Sequence, residues 1–413
     1  MDRIILHSDL NNFYATVECF DSPLSHNTPL AVAGDAEKRH GIILAKNTAA
    51  KNFGVKTGDT VSEAIKKCQK LKLIEPNFEK YLYFSNKVRK IYKEYTDLVE
   101  SFGLDECWLD ITANNKGLRY GYKMASEIKK RIKSEIGLTV SIGVSYNKVF
   151  AKLGSDYKKP DAITVVSKNN YKNIIYNMSA QELLYVGKAT KNKLNIAGCY
   201  TIKDLAYMPD DLLAKLFGKN GQLIKKFANG LDDSPVIDFC ETIPIKSIGN
   251  STTAYKDLEK SDDVKIVILS LCESVAARLR RHKMLGNLIQ ISLRDNELKT
   301  IERQSKVSPT NITTEIFNAA YYLYLKNKPN KPLRSIGVKA GMLTASDSAA
   351  IKNMNHNHAV DFNSLILLEN NIDLLRNRFG YFSVCRAIML EDTALSRLNP
   401  NKDHVAHPEP FRR

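Results

Sequence analysis

The stretch SFGLDECWLD, residues 101–110, sets two adjacent carboxylates, Asp105 and Glu106, in an otherwise apolar run. Phe102, Leu104, Trp108 and Leu109 call for burial, whereas ionised carboxylates are costly to bury without a compensating partner. Read as a β-hairpin, SFG then CWLDIT, the segment puts Leu104, Asp105 and Glu106 at its turn. Upstream, RIILHS (3–8) reads as a short buried strand with Asp9 at its end. NFYATVECF then carries helical apolar spacing, with Asn11 or Asn12 as cap. PLAVAG and GIILA read as strands joined by the charged turn GDAEKRH, and helical signals follow from Thr48 through Lys51 and across SEAIKKCQKL. KYLYFSNKVRKIYKEYTDLVE (80–100) predicts a long helix with apolar positions Tyr83, Val88, Ile91, Tyr92 and Tyr95. After the hairpin come a helix in YKMASEIKKRIKSEIG and a strand in TVSIGVS. Together these elements predict an α+β layer with helices on one face of an antiparallel sheet.

A divalent cation needs hard oxygen ligands, and Asp9, Asp105 and Glu106 would supply them if the hairpin lay beside the first strand. Spacing alone leaves a second reading open, a solvated turn with ordinary acids. Asp110, on the following strand, reads as a structural acid or as one that supports the metal ligands from behind.

The chain has 413 residues, enough for two to four domains. Its 43% hydrophobic and 26% charged residues are those of a globular protein. No run of about 18 apolar residues predicts a membrane span. The N-terminal MDRIILHSDL lacks a signal-peptide pattern. Seven scattered cysteines without a C-x-x-C pair point to a reduced, cytoplasmic chain with no structural zinc. The net charge of +16 suits either a lysine-rich solvated surface or a polyanionic partner.

Three segments carry a specific resemblance: HSDLNNFYATVE (7–18), LDECWLD (104–110) and SIGVSYNKVFAKLGSDYKKP (141–160). In order and separation they resemble the catalytic-palm motifs of Y-family translesion DNA polymerases of the DinB/UmuC type, and the likeness extends to about residue 345. It implies an α+β multidomain, right-hand polymerase fold. The palm would be 1–10 and 78–165, small fingers 11–77, a helical thumb 166–233, a linker 234–243, an α+β little-finger domain 244–346 and a tail 347–413. It further implies that Asp9, Asp105, Glu106 and the carbonyl of Leu10 ligate two Mg²⁺ ions, with Mn²⁺ able to substitute. Tyr14 falls at the steric gate, where its ring would exclude a 2′-hydroxyl; packing in the core is the other reading of that position. Phe13, Tyr14, Thr48, Lys51 and Lys159 would meet the incoming dNTP.

Two of these positions depart from the family. KNTAAKNFG places Thr48 and Lys51 where a tyrosine and an arginine usually hold the triphosphate, and lysine is a point donor without arginine's bidentate fork. Lys46 is a candidate to compensate. Ile42 and Leu44 are bulkier than the small residues often found over the nascent base pair, and Asn11 replaces a frequent acid.

Residues 166–233 read as short helices broken at glycines. LLYVGKATKNKLNIAGCYTIKDLA (183–206) resembles a helix-hairpin-helix, with Gly187 and Lys188 placed for phosphate contact and Tyr185 where a glycine is frequent. FGKNGQLIKKFANGLD (217–232) resembles the second half of the thumb. ETIP, near 241–244, reads as a linker into a second α+β unit. That unit's Arg278, on a predicted helix, and Arg294, Lys299, Arg303 and Lys306, on strands that would present them on one sheet face, are expected against DNA, whereas Arg280 and Lys283 also fit a solvated face. FNSLILL (362–368) reads either as a degenerate sliding-clamp peptide or as a helix packed on the body. His356 and His358 read as loop residues.

The implied activity is primer extension: attack of a 3′-hydroxyl on the α-phosphate of a dNTP, with pyrophosphate release, on damaged template as well as undamaged. A non-catalytic DNA-binding paralogue is the alternative that Thr48 and Lys51 would favour. A metal-dependent nuclease is another, and it would need neither Tyr14 nor Lys159.

Overall fold

Alternation along IILHSDL and CWLD sorts side chains to the two faces of one sheet. The computed structural model describes residues 2–20, 27–34, 41–114, 117–238, 245–346 and 356–397, with side chains from residue 364 in the last span. Residues 35–40 of the expected charged turn, the ETIP linker and the His356 and His358 side chains lie outside the described residues. Two compact units result, one comprising residues 2–34 and 42–238, the other 245–397.

The first unit opens with β1 (Ile5–Leu10), α1 (Phe13–Phe20), β2 (Leu30–Ala33), β3 (Ile43–Lys46), α2 (Thr48–Asn52), α3 (Val61–Lys67) and β4 (Lys72–Ile74). There follow α4 (Phe78–Lys93), β5 (Val99–Phe102), β6 (Glu106–Asp110), α5 (Gly117–Ile136), β7 (Val140–Ser145), α6 (Lys148–Tyr157) and β8 (Ile163–Val166). The palm sheet runs β5-β6-β1-β7-β8, antiparallel except for the β7–β8 pair. Ile4, Leu6, Leu109 and Val144 pack with α4 and α5 on one face, and Ile5 and Trp108 pack with α6 on the other. Helices therefore cover both faces, not one. Gly143 makes the second layer possible, because a Cβ there would lie 1.8 Å from the Ala151 carbonyl oxygen of α6.

Three further readings change. The helix predicted over 80–100 ends at Lys93, and its last residues begin β5. Its inward face is Tyr81, Ser85, Val88, Ile91 and Tyr92, while Tyr83 points outward. β4 and β8, three and four residues long, were not read as strands, yet β4 pairs in parallel with β2 to complete the three-stranded sheet β3-β2-β4. Within the fingers, Thr60 and Glu63 close a capping box on α3. Asp110 is structural as expected, accepting from the Thr112 N–H at 2.8 Å.

Five short helices follow, α7 (Tyr171–Ile175), α8 (Lys188–Ile196), α9 (Ile202–Tyr207), α10 (Asp210–Phe217) and α11 (Lys219–Ala228), and their core is continuous with α6. A buried ion pair, Lys148 Nζ to Glu100 at 2.6 Å, ties α6 to β5, and the same two side chains bond the Pro235 carbonyl and the Ile237 N–H.

The second unit comprises β9 (Ser247–Leu258), α12 (Ser261–Arg281), β10 (Met284–Asp295), β11 (Thr300–Thr310), α13 (Thr313–Lys326), β12 (Leu333–Ala345), α14 (His356–Phe379) and α15 (Thr393–Ser396). Its sheet runs β11-β10-β12-β9, with α12 and α13 on one face. The described part of the expected tail is instead integral to this unit. Glu273 on α12 is buried and accepts from Arg376, Tyr381 and Arg386; Glu369 on α14 is buried and accepts from Thr313 and Arg386. The sequence FNSLILL lies within α14, where Leu365 and Ile366 pack on Leu285 and Ile312, as a helix packed on the body requires.

Candidate active site

β1 is the central strand, and its register sets Asp9 opposite Glu106 on β6 and opposite Ser141 on β7. The β5–β6 turn is fixed from three directions. Arg89 donates to the Gly103 carbonyl at 2.7 Å, the Ser85 hydroxyl to the Leu104 carbonyl at 2.5 Å, and the Leu10 N–H to the Asp105 carbonyl at 3.0 Å. Gly103 takes a positive φ of 83°, which a side chain would resist. Trp108 anchors the hairpin beneath this turn, fully buried and donating to the Lys148 carbonyl at 3.0 Å.

Burial, with the charge of Glu106 next, pushes the Asp9 carboxyl up to about 6, although Lys159 opposes the rise. Burial, then Asp9 and Glu106, push Asp105 up to about 7. The three predicted acids thus share one electrostatic site. Among the described residues no three acid, histidine or cysteine side chains converge into a ready metal cage. Asp9 and Glu106 each turn an oxygen toward a lysine instead. Lys159 donates to Asp9 at 2.5 Å and pairs with Asp156 at 2.6 Å, and Lys152 pairs with Glu106. Burial opposes the charge on Lys159, but Asp9 and Asp156 outweigh it and hold the ammonium above the usual lysine range.

Lys152 and His7 were not anticipated. The signal for Lys152 was present in KVFAKLGSDYKK: Lys152 and Asp156 lie four residues apart on one face of α6, and Lys159 follows three residues later, just past the helix end. His7 is buried, and burial, with Lys152 next, drives its pKa well below the usual value. It is therefore neutral, and its 3.3 Å approach to Glu106 is no ion pair. Ser155 donates to the Lys152 carbonyl at 2.7 Å, so His7 Nδ1–H donates to Ser155 Oγ at 2.8 Å and Nε2 is left without a donor.

Tyr14, in the first turn of α1, stacks on Tyr81 with centroids 4.3 Å apart and planes 13° from parallel. Burial, then the charge of Asp105, push its hydroxyl up to about 12. Phe13 points into the core, leaving only its main chain to meet a ligand. Asn11 is also buried, its amide 2.9 Å from the Ser141 hydroxyl. Asn47 caps α2 through the Ala50 N–H, and Asn12 donates to Thr48 Oγ1 at 3.2 Å, fixing Thr48 near the start of α1. Lys51 is exposed and near Lys46, whose pKa is lowered by burial and then by Lys51. Lys46 itself donates to Thr57 at 3.1 Å.

Gly187 precedes α8 and Lys188 opens it. Tyr185 has a φ of 68°, the left-handed region that explains why glycine suits this position; its ring stacks on Phe227. In the second unit the predicted cations separate. Sheet register puts Arg294 and Lys306 on the open face together with Lys339, which the sequence reading missed. Arg303 pairs with Ile291, lies on the helix-covered side and bonds Asn327. Lys299 is exposed in the β10–β11 turn and pairs with Glu297. Arg278 turns inward to the Gly249 carbonyl at 2.9 Å, and Arg280 is held by Asp373 and the Asn311 carbonyl, so neither is a free surface cation.

An acid-bearing hairpin beside an acid-bearing strand, a thumb of short helices and a separate four-stranded unit define a right-hand polymerase architecture. The chain belongs to the impB/mucB/samB family: that family's profile matches residues 8–156, and its C-terminal-domain profile matches 245–353. It is 50% identical to a DNA polymerase IV of Acetivibrio thermocellus over 401 residues, 96% of this chain and all of that one. It is 34% identical to DNA polymerase IV 2 of Bacillus subtilis, over 94% of this chain and 95% of that one. Among solved structures it is similar to a Y-family DNA polymerase chimera, with a TM-score of 0.72 at 22% identity over 83% of this chain and 99% of the other, a likeness of fold. Among the described residues no helix is long and apolar enough to cross a membrane.

Proposed function

We infer that this chain is a DNA-directed DNA polymerase that extends a primer by templated nucleotidyl transfer, including past damaged template positions. The observation that carries this reading is the placement of Asp9, Asp105 and Glu106 in one electrostatic site, with Lys159 on Asp9 and the Tyr14 ring alongside. The relatives named DNA polymerase IV, aligned over nearly the whole chain, support it.

The donor set fits hard divalent cations, because positive charge would relieve the burial and mutual repulsion that hold Asp9 and Asp105 partly protonated. Asp9, Asp105, Glu106 and the Leu10 carbonyl would hold two Mg²⁺, or Mn²⁺ in their place. Such ions, when bound, lower the pKa of the attacking hydroxyl and stabilise charge on the phosphoryl group. The chain's own residues then bind and orient. Lys159 meets the triphosphate, and Lys46 and Lys51 supply charge to its far end as paired point donors. Thr48, oriented by Asn12, donates one hydrogen bond. The Tyr14 ring closes the space beside the sugar C2′. In the second unit, Arg294, Lys306 and Lys339 form a phosphate-contacting face for primer-template DNA, insensitive to sequence. A cytoplasmic location fits the described cysteines, all free thiols.

Primer extension with Mg²⁺ and dNTPs on intact and abasic templates tests the assignment, with Asp105→Ala and Glu106→Ala as controls. Extension by wild type alone is expected. Absence of extension by wild type, with DNA still bound, favours the non-catalytic paralogue; primer degradation favours a nuclease.

A further inference from the structure

Asn11 stands where β1 gives way to α1, two residues after Asp9, and only 7% of it is exposed. Its main chain is already committed: the N–H donates to the Thr139 carbonyl at 2.9 Å, and the carbonyl accepts from the Thr16 hydroxyl at 3.3 Å. The side-chain amide must therefore find its own partners in a buried place. One orientation satisfies it. The side-chain oxygen accepts from the Asp161 N–H at 3.1 Å, the Thr139 hydroxyl at 3.2 Å and the Val140 N–H at 3.3 Å, and the NH₂ group donates to the Ser141 hydroxyl at 2.9 Å. Reversed, the NH₂ group would face two backbone N–H groups, donor against donor. Asp161 follows Lys159 by two residues and carries a φ of 54°, in the left-handed region that few residues other than glycine adopt. Such a turn persists where its surroundings over-determine it. Here Lys129 on α5 donates to the Asp161 carbonyl at 2.5 Å and pairs with its carboxylate at 3.3 Å, and Asn11 takes its N–H.

We propose that Asn11 is a positioning residue: by holding the Asp161 N–H it sets the turn that presents Lys159, and through Lys159 it sets affinity for the triphosphate of the incoming nucleotide. The inference rests on the triphosphate role given to Lys159 above. Lys159 lies past the C-cap of α6 at Lys158, where helix hydrogen bonds no longer fix the main chain. Its backbone is held instead from the Asp161 side, by Asn11 and Lys129. Its ammonium rests between Asp9 and Asp156, at 2.5 and 2.6 Å, and a phosphate must draw it off that pair. A turn fixed in advance lowers the cost of that exchange, because the lysine does not have to be ordered as the ligand arrives. Simple core filling would be served by any side chain of this size. It would not require an acceptor that meets donors from both the start of β7 and the Lys159 turn. An acid at position 11 would accept from the same donors, and Ser141 would turn its hydroxyl toward it. The site therefore accommodates asparagine or aspartate and not an apolar residue of the same shape.

Single-turnover incorporation of one correct dNTP by the full chain on primer-template DNA separates the nucleotide Kd from the maximal rate. Asn11→Leu should raise that Kd at least about fivefold and change the maximal rate by less than about twofold. Asn11→Asp should keep the wild-type Kd within about twofold, because it keeps the acceptor. In a Lys159→Met background, itself weaker in dNTP binding, Asn11→Leu should add less than about twofold; a general loss of stability would act there undiminished. Lys129→Met removes the other hold on Asp161 and should give the same Lys159-dependent rise, which keeps the test open if Asn11→Leu does not fold. An unchanged Kd in Lys129→Met or in a folded Asn11→Leu overturns the proposal. So do an effect of equal size with and without Lys159 and an Asn11→Asp chain as weak as Asn11→Leu. A Lys159→Met chain that binds dNTP as wild type does removes the triphosphate reading itself, and the proposal with it.

Discussion

Asp105 concentrates the tension of the site. Its folded-state carboxyl stands near 7, against an ordinary value near 4, because it is buried beside Asp9 and Glu106. Between those two values the native chain holds a proton that the unfolded chain releases, so stability falls as pH rises through the window. Without divalent ions, the melting temperature should therefore decline from pH 4 to 7. Asp105→Asn should flatten that slope and recover on the order of 2 kcal/mol near pH 7.5; an unchanged slope would mean the acid is not strained. Added Mg²⁺ at pH 7.5 should raise the wild-type melting temperature more than that of the variant. Tyr14 sits within the field of the same acid, and the role proposed for it depends on the shape of its ring. Tyr14→Ala should raise ribonucleotide use relative to deoxynucleotide use at least about tenfold, and an unchanged ratio rejects the gate.

α6 contributes more than its motif announced. Its approach depends on Gly143, whose Cβ would meet the Ala151 carbonyl oxygen at 1.8 Å and the Ser155 nitrogen at 2.5 Å. Gly143→Ala should cost at least about 2 kcal/mol in a denaturant melt and withdraw Lys152 and Lys159 from the acids; a melt like wild type's would contradict this packing. The hairpin and the first strand were legible in sequence because their alternation is local, and so were the acids at turn and strand end. The opposing layer was not legible, since nothing in KVFAKLGSDYKK states which sheet face it covers. Arg303 was misplaced for a related reason. Its side of β11 follows from register with Ile291, which is fixed by partners and not by its own neighbours.

Across the whole molecule, the least legible part was the segment after Ser346. Its asparagine-rich composition resembles a tail, and the acids and cations that dock it lie about a hundred residues apart, as in Arg376 to Glu273 and Arg280 to Asp373. Deleting everything beyond residue 346 should leave Glu273 buried without its cations and lower the melting temperature by at least about 5 °C; an unaltered melt would return the segment to the status of a tail. The proposed turnover draws on the acids Asp9, Asp105 and Glu106 of the first unit. The most direct measurement is rapid-quench incorporation of a single correct dNTP by the full chain, wild type against Glu106→Gln, with DNA affinity followed by anisotropy. The predicted result is templated addition by wild type and a rate at least about a hundredfold lower in the variant, with DNA binding unchanged. Equal rates in the two proteins, or no incorporation by a wild type that binds DNA, would contradict the assignment.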